Sequence, residues 1–172
     1  MKIIKNILVV IVILSLIFFA TGLVVKETQY TTEITINSSI NKVFDTFEDT
    51  NKTGQWQPEI KLIEPIQENT EKVGSTYKIV VENKEQKIEM IKKIMAYIPN
   101  KKITFQFDSN QMIKIDDYNF VAVGNTTKIT QHSIIRPKNY IMSCIFPYFK
   151  SKLKKVSYGY LKQLKEVVEK HQ

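Results

Sequence analysis

The chain holds few side chains of the kinds that perform acid–base, nucleophilic or metal chemistry. It has two histidines, His132 and His171, and one cysteine, Cys144. His132 lies in a probable strand and is the one interior candidate that titrates near neutral pH, so together with a tyrosine it could act as acid and base. The alternative is an exposed or hydrogen-bonded histidine without a chemical role. His132 is the single catalytic candidate, and we favour a binding protein over an enzyme.

Motifs for metal ions and nucleotide cofactors are absent. There is no CxxC, HExxH, GxGxxG or GxxxxGK[ST] pattern, and two histidines with one cysteine offer few ligands for a transition metal. Asp116 and Asp117 are adjacent carboxylates, but two buried carboxylates would raise each other's pKa at an energetic cost. We therefore expect them on a bulge or an exposed polar face, and we expect no metal and no cofactor.

The formal net charge of +8 is concentrated at the C-terminal end: from Arg136 onward there are nine basic residues and two acidic ones, Glu166 and Glu169. A basic end could meet anionic lipid or nucleic acid. Arg136 is the only arginine of the chain, whereas recognition of phosphates and bases favours several. Nucleic-acid binding is therefore not expected.

An uncharged segment near the N-terminus predicts a membrane anchor. Residues 7–25 form a run of 19 without a charge, which as a helix reaches about 28 Å, close to the ~30 Å hydrocarbon core of a bilayer. Residues 1–6 would then be a short cytoplasmic tail. A signal peptide is the alternative, with a candidate cleavage site at Ala20-Thr21-Gly22.

The flanking charges indicate an orientation for this anchor. Lys2 and Lys5 precede it and Lys26 follows it; cationic flanks favour the cytoplasmic side, so the C-terminal body is expected outside the cytoplasm. The abundance of Ile, Lys and Asn is typical of an A+T-rich bacterial genome, and the expected location is the bacterial cytoplasmic membrane, with a single pass.

The body after the anchor is predicted to be one α+β domain. Residues alternate with period two from Tyr30 to Ile36, which predicts a strand, and a short amphipathic helix follows from Ile40 to Phe47. Asn51–Pro58 is a loop or second short helix. Short turns such as Asn83-Lys84 then connect six further strands, which implies an antiparallel meander. These strands are Ile60–Ile66, Ser75–Glu82, Gln86–Ala96, Lys102–Asp108, Ile113–Val123 and Lys128–Arg136.

The last element is a long helix, predicted from Tyr140 to Lys170. On a helical wheel, apolar side chains share one arc and lysines lie opposite, on a solvated face or against anionic headgroups. Pro147 should start the helix or kink it. The residues of the apolar arc are Ile145, Phe149, Leu153, Val156, Tyr160, Leu164 and Val167.

Several short patterns in this order resemble one known superfamily. They are Ile34-x-Ile36-x-Ser38-x2-Asn41-x-Val43-Phe44, Asp49-x6-Trp56-x-Pro58, Val73-Gly74-Ser75 and Leu161-x2-Leu164-Lys165-x3-Glu169. The sequence resembles the START/SRPBCC superfamily, with its Bet v 1-like helix-grip fold and its polyketide cyclase/dehydrase-like group. The resemblance implies a curved antiparallel sheet of about six to seven strands wrapped on the C-terminal helix, with a cavity between them, in a domain over residues 29–172.

The alternation of the strands and the wheel of the last helix suggest which side chains line that cavity. Trp56 could close its mouth as a lid, or could pin its loop by packing. The predicted pocket residues are Trp56, Tyr77, Ile79, Met90, Phe105, Phe107, His132, Phe149, Leu153, Val156 and Tyr160. The alternative is that they simply fill the core.

The hypothesis from the sequence is a monomeric, membrane-anchored domain that binds a lipid-like or other hydrophobic small molecule. An apolar aromatic cavity without a catalytic set carries this hypothesis. Two alternatives stay open: a cyclase- or dehydratase-like enzyme that uses His132, and an interaction module whose cavity is vestigial.

Overall fold

The computed structural model describes residues 2–82 and 87–170, and it begins with the apolar helix α1 (Lys2–Val24). By length and composition α1 is able to cross a membrane, and no other helix of the described residues meets that test. The predicted turn at Asn83-Lys84 and the first residue of the predicted strand Gln86–Ala96 lie outside the described residues.

Seven strands follow in one antiparallel sheet with the order β1-β7-β6-β5-β4-β3-β2. Two short helices lie between β1 and β2, and a long helix ends the chain. The predicted α+β class is confirmed, and the observed bounds differ from the predicted ones by at most two residues, with those of β5 and α4 unchanged. They are β1 Thr28–Ile36, α2 Ile40–Glu48, α3 Thr53–Trp56, β2 Ile60–Gln67, β3 Thr76–Glu82, β4 Lys87–Ile98, β5 Lys102–Asp108, β6 Met112–Val123, β7 Thr126–Pro137 and α4 Tyr140–Lys170.

The strands form where side chains alternate between a buried and a solvated face. Along β7 every second residue from Thr127 to Ile135 is buried, as expected for a strand with one face on a core. The buried side of the sheet is its concave face, which α2, α3 and part of α4 cover.

Aromatic residues of the first helices form the centre of the core. Phe47 of α2 stacks on Trp56 of α3, with ring centroids 5.2 Å apart, and packs edge-on against Tyr118 and Phe120 of β6 at 4.7 and 5.1 Å. Trp56 is 4% exposed. The tryptophan therefore packs its loop against the core, and the lid interpretation was wrong.

The second half of α4 enters this core on a face rotated from the predicted one: Leu164 belongs to both faces, and Tyr160 and Val167 of the predicted arc pack against the core. Leu161, Leu164 and Val168 are buried there, whereas Phe149 and Val156 of the predicted arc are 46% and 45% exposed. The buried face is rotated by about one residue because the helix meets β1 through polar side chains. The hydroxyl groups of Ser157 and Tyr30 lie 3.0 Å apart, which brings Ser157 to the interior and turns Val156 outward.

The first half of α4 packs against the end of α1. Gly22 lies so close to Cys144 that a Cβ on the glycine would come 2.5 Å from the sulfur. Around that contact the Tyr140 hydroxyl donates a hydrogen bond to the Phe19 carbonyl at 2.5 Å, and the Thr21 and Tyr148 hydroxyl groups are 2.8 Å apart. The apolar helix is thus joined to the domain by specific contacts. Pro147 neither starts nor ends α4, which runs through it.

Candidate functional site

A cleft of about 500 Å³ opens on the concave face of β3, β4 and β5. It is closed on one side by the end of α2 and by the loop between β2 and β3, and no residue of α4 lines it. This placement corrects the prediction, in which α4 formed one wall of the cavity. Its lining is Glu48, Thr50, Glu68, Asn69, Thr70, Lys72, Ser75, Tyr77, Lys92, Ile94, Tyr97, Ile103 and Phe105.

The inner wall of the cleft is apolar and aromatic. Ile94, Ile103 and Phe105 are nearly fully buried, and Tyr77 packs against the same core. A smaller space of about 20 Å³ adjoins it, and Phe105 and Lys92 line both. The smaller space is also lined by Trp56, Ile79 and Phe107. The Trp56 indole N–H, a buried donor at its edge, has no hydrogen-bond partner among the described residues.

The rim of the cleft carries three polar side chains that bind one another. The Glu48 carboxylate accepts hydrogen bonds from Lys72 Nζ at 2.8 Å and from the Tyr97 hydroxyl at 2.7 Å. Burial alone would lower the pKa of Lys72, but the hydrogen bonds to Glu48 and Tyr97 outweigh it and raise this pKa. Lys72 has φ +65°, a left-handed backbone that costs energy for any residue except glycine. Despite this strained backbone, the Lys72 ammonium group lies at the rim, where Glu48 and Tyr97 bind it.

Lys92 lies on the inner wall and has no such partner. Its Nζ is 4.0 Å from the centroid of the Phe105 ring and 5.8 Å from that of Tyr77, so aromatic faces provide its closest stabilisation. Among the described residues no carboxylate forms an ion pair with it. Burial therefore lowers the pKa of Lys92 to about 8.

Lys114, two strands away on the same concave face, is fully paired. Its Nζ is 2.8 Å from an Asp116 carboxylate oxygen, and the Ser133 hydroxyl donates to the other oxygen at 2.6 Å. Burial by itself would lower the pKa of Lys114, but the attraction of Asp116 and Tyr30 and the hydrogen bonds to them raise it overall. The charges of this buried pair compensate each other.

The structure corrects the expectation for the two adjacent aspartates. Asp116 is 2% exposed and faces the interior, whereas Asp117 points to the opposite face of β6, where Lys102 pairs with it at 3.0 Å. Because strand residues alternate in direction, each carboxylate has its own cation. The expected repulsion between two buried carboxylates does not arise.

His132 does not reach the cleft. It is exposed between the buried Gln131 and Ser133, and its Nδ1 is 2.8 Å from the Thr31 hydroxyl. Its side chain therefore points away from the concave face, and the prediction that it is an interior residue was wrong. An enzyme that uses His132 inside the cavity is not compatible with this placement.

The other predicted pocket residues fall into three groups. Tyr77 and Phe105 line the cleft, and Trp56, Ile79 and Phe107 line the small adjoining space. Met90, Leu153 and Tyr160 are half-buried outside both. Phe149 and Val156 are half-exposed on α4. Whether any of these residues contacts a ligand stays a prediction.

Comparison with known proteins supports the architecture. No protein-family model and no curated protein matches the chain. A START superfamily protein from Mycobacterium smegmatis matches with a TM-score of 0.73 and 17% identity, over 84% of this chain and 99% of that one. The protein has the helix-grip fold. Norcoclaurine synthase from Thalictrum flavum, solved with dopamine and hydroxybenzaldehyde, shares it at a TM-score of 0.65 and 12% identity, over 89% and 92% of the two chains.

The same helix-grip fold occurs in the di-domain ARO/CYC protein StfQ of the steffimycin biosynthetic pathway, with a TM-score of 0.69 and 9% identity over 84% of this chain and 51% of that one. The predicted resemblance to the START and Bet v 1-like proteins is thus confirmed for the fold. At these identities the likeness shows the fold alone, so the ligand must be argued from the cleft.

The polar residues of the cleft were not found by sequence reasoning. Glu48, Lys72 and Tyr97 come from α2, a loop and the end of β4, and no spacing along the chain connects them. Lys92 did leave a signal: it continues the alternation of Ile88 and Met90 toward Ile94, all on one face of β4. This alternation places Lys92 on the inward face of the strand and thus predicts it as a pocket residue.

Proposed function

We propose that the domain binds a lipid-like or other hydrophobic small molecule in the cleft on β3–β5 and does not transform it. The observation that carries this proposal is the cleft itself: about 500 Å³ with an aromatic inner wall, within the usual range of ligand sites. The half-buried Tyr77 ring would contact the ligand, with the Phe105 ring behind it. The domain that holds the cleft, proposed to span residues 29–172, is expected to be a monomer that needs no cofactor and does not bind nucleic acid.

One observation keeps an enzyme as the second candidate. Lys92 has a pKa lowered to about 8, which suits a proton donor or acceptor. Catalysis would require a second ionisable group beside it. Glu48, Lys72 and Tyr97 are hydrogen-bonded to one another, which supports a binding role. Consumption of a substrate by the wild type, and none by Lys92→Met, would favour the enzyme.

Binding can be tested with a neutral, environment-sensitive dye such as N-phenyl-1-naphthylamine. The full chain would be placed in lipid nanodiscs, and empty nanodiscs would give the background from lipid. We expect saturable fluorescence that Phe105→Trp reduces, since the larger ring enters the cleft. Phe149→Trp, on the exposed side of α4, is the control and should bind like the wild type. Equal fluorescence from filled and empty nanodiscs would contradict the proposal.

We also propose that α1 spans the bacterial cytoplasmic membrane and holds the domain on its outer side. The contact between α1 and α4 supports a fixed position at the surface. Phe18, whose ring stacks on that of Tyr148 at 5.8 Å, precedes Val25 by seven residues, about 10 Å along a helix. With residues 7–25 across the hydrocarbon core, the part of α4 that contacts α1 would therefore lie up to about 10 Å below the outer edge of this core, the depth to which an interfacial helix enters a membrane.

The composition of that half of α4 suits such a position. Tyr140, Ile141, Tyr148 and Phe149 are each at least 44% exposed, and lysines at 150, 152, 154 and 155 follow. Aromatic side chains favour the membrane interface, and each lysine near an anionic surface contributes about 1 kcal/mol. The apolar residues would enter the interface while the lysines contact headgroups.

Depth-dependent quenching tests this placement. In a Trp56→Phe background, Phe149→Trp gives a single tryptophan on α4, and Val123→Trp gives one at the exposed end of β6, which the sheet register places far from the start of β1 and so from α1. In nanodiscs of brominated anionic lipid we expect quenching of the first and not of the second. Failure of α1 to span would appear separately, as loss of the chain from membranes on carbonate washing. Equal quenching at both positions would contradict the surface placement of α4.

A further inference from the structure

The cleft lining carries two glutamates and two lysines, and among the described residues Lys92 is the one of these four without an ion pair or a hydrogen bond. Tyr77, Lys92, Phe107 and Lys114 follow one another across β3, β4, β5 and β6, because each is paired with the next in the sheet register. Lys92 and Lys114 thus flank Phe107 on the concave face. Lys114 has Asp116 at 2.8 Å, while Lys92 has only aromatic rings.

The other ionisable groups around the cleft do not compensate Lys92. On α2, Glu48 binds Lys72 and Tyr97. On the loop after β2, Glu68 accepts a hydrogen bond from the Tyr77 hydroxyl at 3.1 Å. Glu48 is paired with a cation and Glu68 accepts a hydrogen bond from a neutral hydroxyl, so within the described part of the chain Lys92 is the charged side chain of the cleft wall whose hydrogen-bond donors are unused.

An ammonium group against aromatic walls favours a ligand that brings its own negative charge. A carboxylate in the cleft would accept a charge-assisted hydrogen bond from Lys92, which is stronger in a site with little water than at a surface. The half-buried rings of Tyr77 and Tyr97, with Phe105 behind them, would contact an apolar chain. We propose that the cleft binds an amphipathic carboxylic acid, with its carboxylate on Lys92 and its hydrocarbon part along this apolar wall. This inference rests on the proposed binding function and names its ligand class.

The inference has a pH dependence with a definite sign. A fatty-acid carboxylate is ionised above about pH 5. Lys92 is protonated below its pKa of about 8. Affinity for the acid should therefore be highest between these values and should fall as the pH rises above about 8, whereas affinity for an uncharged analogue should not change. Other ionisable side chains surround the same cleft, namely Glu48, Glu68, Lys72, Tyr77 and Tyr97. They are present in the wild type and in the Lys92 variants alike, so a pH dependence that disappears in the variants is due to Lys92.

The experiment compares a saturated fatty acid with the primary alcohol of the same chain length. Radiolabelled probes would be dialysed to equilibrium against the full chain in nanodiscs, with empty nanodiscs subtracted. At pH 7 we expect the wild type to bind the acid about ten- to a hundred-fold more tightly than the alcohol. Lys92→Met should remove this preference, so that the acid and the alcohol bind with similar affinity, and Lys154→Met, an exposed lysine of α4, should keep the preference. Circular dichroism would verify that each variant is folded.

The outcomes separate this inference from the proposed function. Binding of the acid and the alcohol with equal affinity by the wild type would overturn the inference and leave the binding function intact. A preference that survives in both Lys92→Met and Lys92→Gln would also overturn it. If neither probe binds above empty nanodiscs, the proposed function fails together with the inference. A preference that is lost in both variants, and that disappears between pH 7 and pH 9.5 in the wild type, would support the carboxylate site.

Discussion

The two halves of α4 belong to one continuous helix but have different neighbours. The second half places Leu161, Leu164 and Val168 in the core. The first half buries Cys144, and its close contacts there are with Phe19 and Gly22 of α1. The same helix thus closes the domain at one end and joins it to the apolar helix at the other. The difference teaches that hydrophobic character alone does not tell which partner a helix face will meet.

The largest effect should come from the second half. Leu164 is fully buried, and truncation of a buried leucine costs about 2–5 kcal/mol because it removes contacts and leaves a cavity. Leu164→Ala should lower the free energy of unfolding by this amount, as measured by chemical denaturation. Val156→Ala, nearly half-exposed in the same helix, should stay within about 0.5 kcal/mol. Similar losses in both variants would mean that the two faces of α4 are not distinguished as described.

The contact of the first half with α1 can be broken at Gly22. A side chain there would meet the sulfur of Cys144, so Gly22→Val should separate the helices at an overpacking cost of about 1–3 kcal/mol. Cys144, with no exposed surface in this structure, should then react faster with a thiol-specific maleimide. Thr21→Val, which loses the hydrogen bond to Tyr148 without adding a clash, is the milder control. Unchanged labelling of Gly22→Val would show that α1 does not cover Cys144.

A smaller loss of unfolding free energy is expected for a substitution at Leu153, near the middle of α4. From its place in the predicted apolar arc, Leu153→Ala would cost about 2–5 kcal/mol. Leu153 is only half-buried in the structure, so we expect about 1 kcal/mol, with Lys154→Ala within about 0.5 kcal/mol. Thermal unfolding of the two variants would measure the difference. A loss for Leu153→Ala as large as that for Leu164→Ala would restore the predicted arc.

The elements of the fold could be predicted because each leaves a local pattern in the sequence. Alternation marks β7 residue by residue, and the bounds of β5 and α4 are as predicted. The orientation of α4 could not be predicted, because its buried face includes Ser157 and Cys144. Ser157 is hydrogen-bonded to Tyr30, and Cys144 packs against Phe19 and Gly22 of α1. The distribution of hydrophobic residues around the helix does not reveal such specific contacts.

Fewer of the cleft residues than of the fold elements could be predicted from the sequence. The aromatic wall residues Tyr77 and Phe105 follow from strand alternation. His132 lies on the outer face because its neighbours Gln131 and Ser133 occupy the inner one, and the same alternation would have excluded it. The Glu48 and Lys72 pair joins residues 24 positions apart, and only the packed structure brings them to one rim.

The most direct test of the central claim is native mass spectrometry of the full chain purified from its own membranes. The account expects a small apolar molecule to remain bound to the wild type in the gas phase. The same molecule should be lost from Phe105→Trp and retained by Val156→Ala, which leaves the cleft unchanged. A wild-type chain without any bound molecule, or one whose bound molecule is equally retained by Phe105→Trp, would contradict the assignment of the cleft as the binding site.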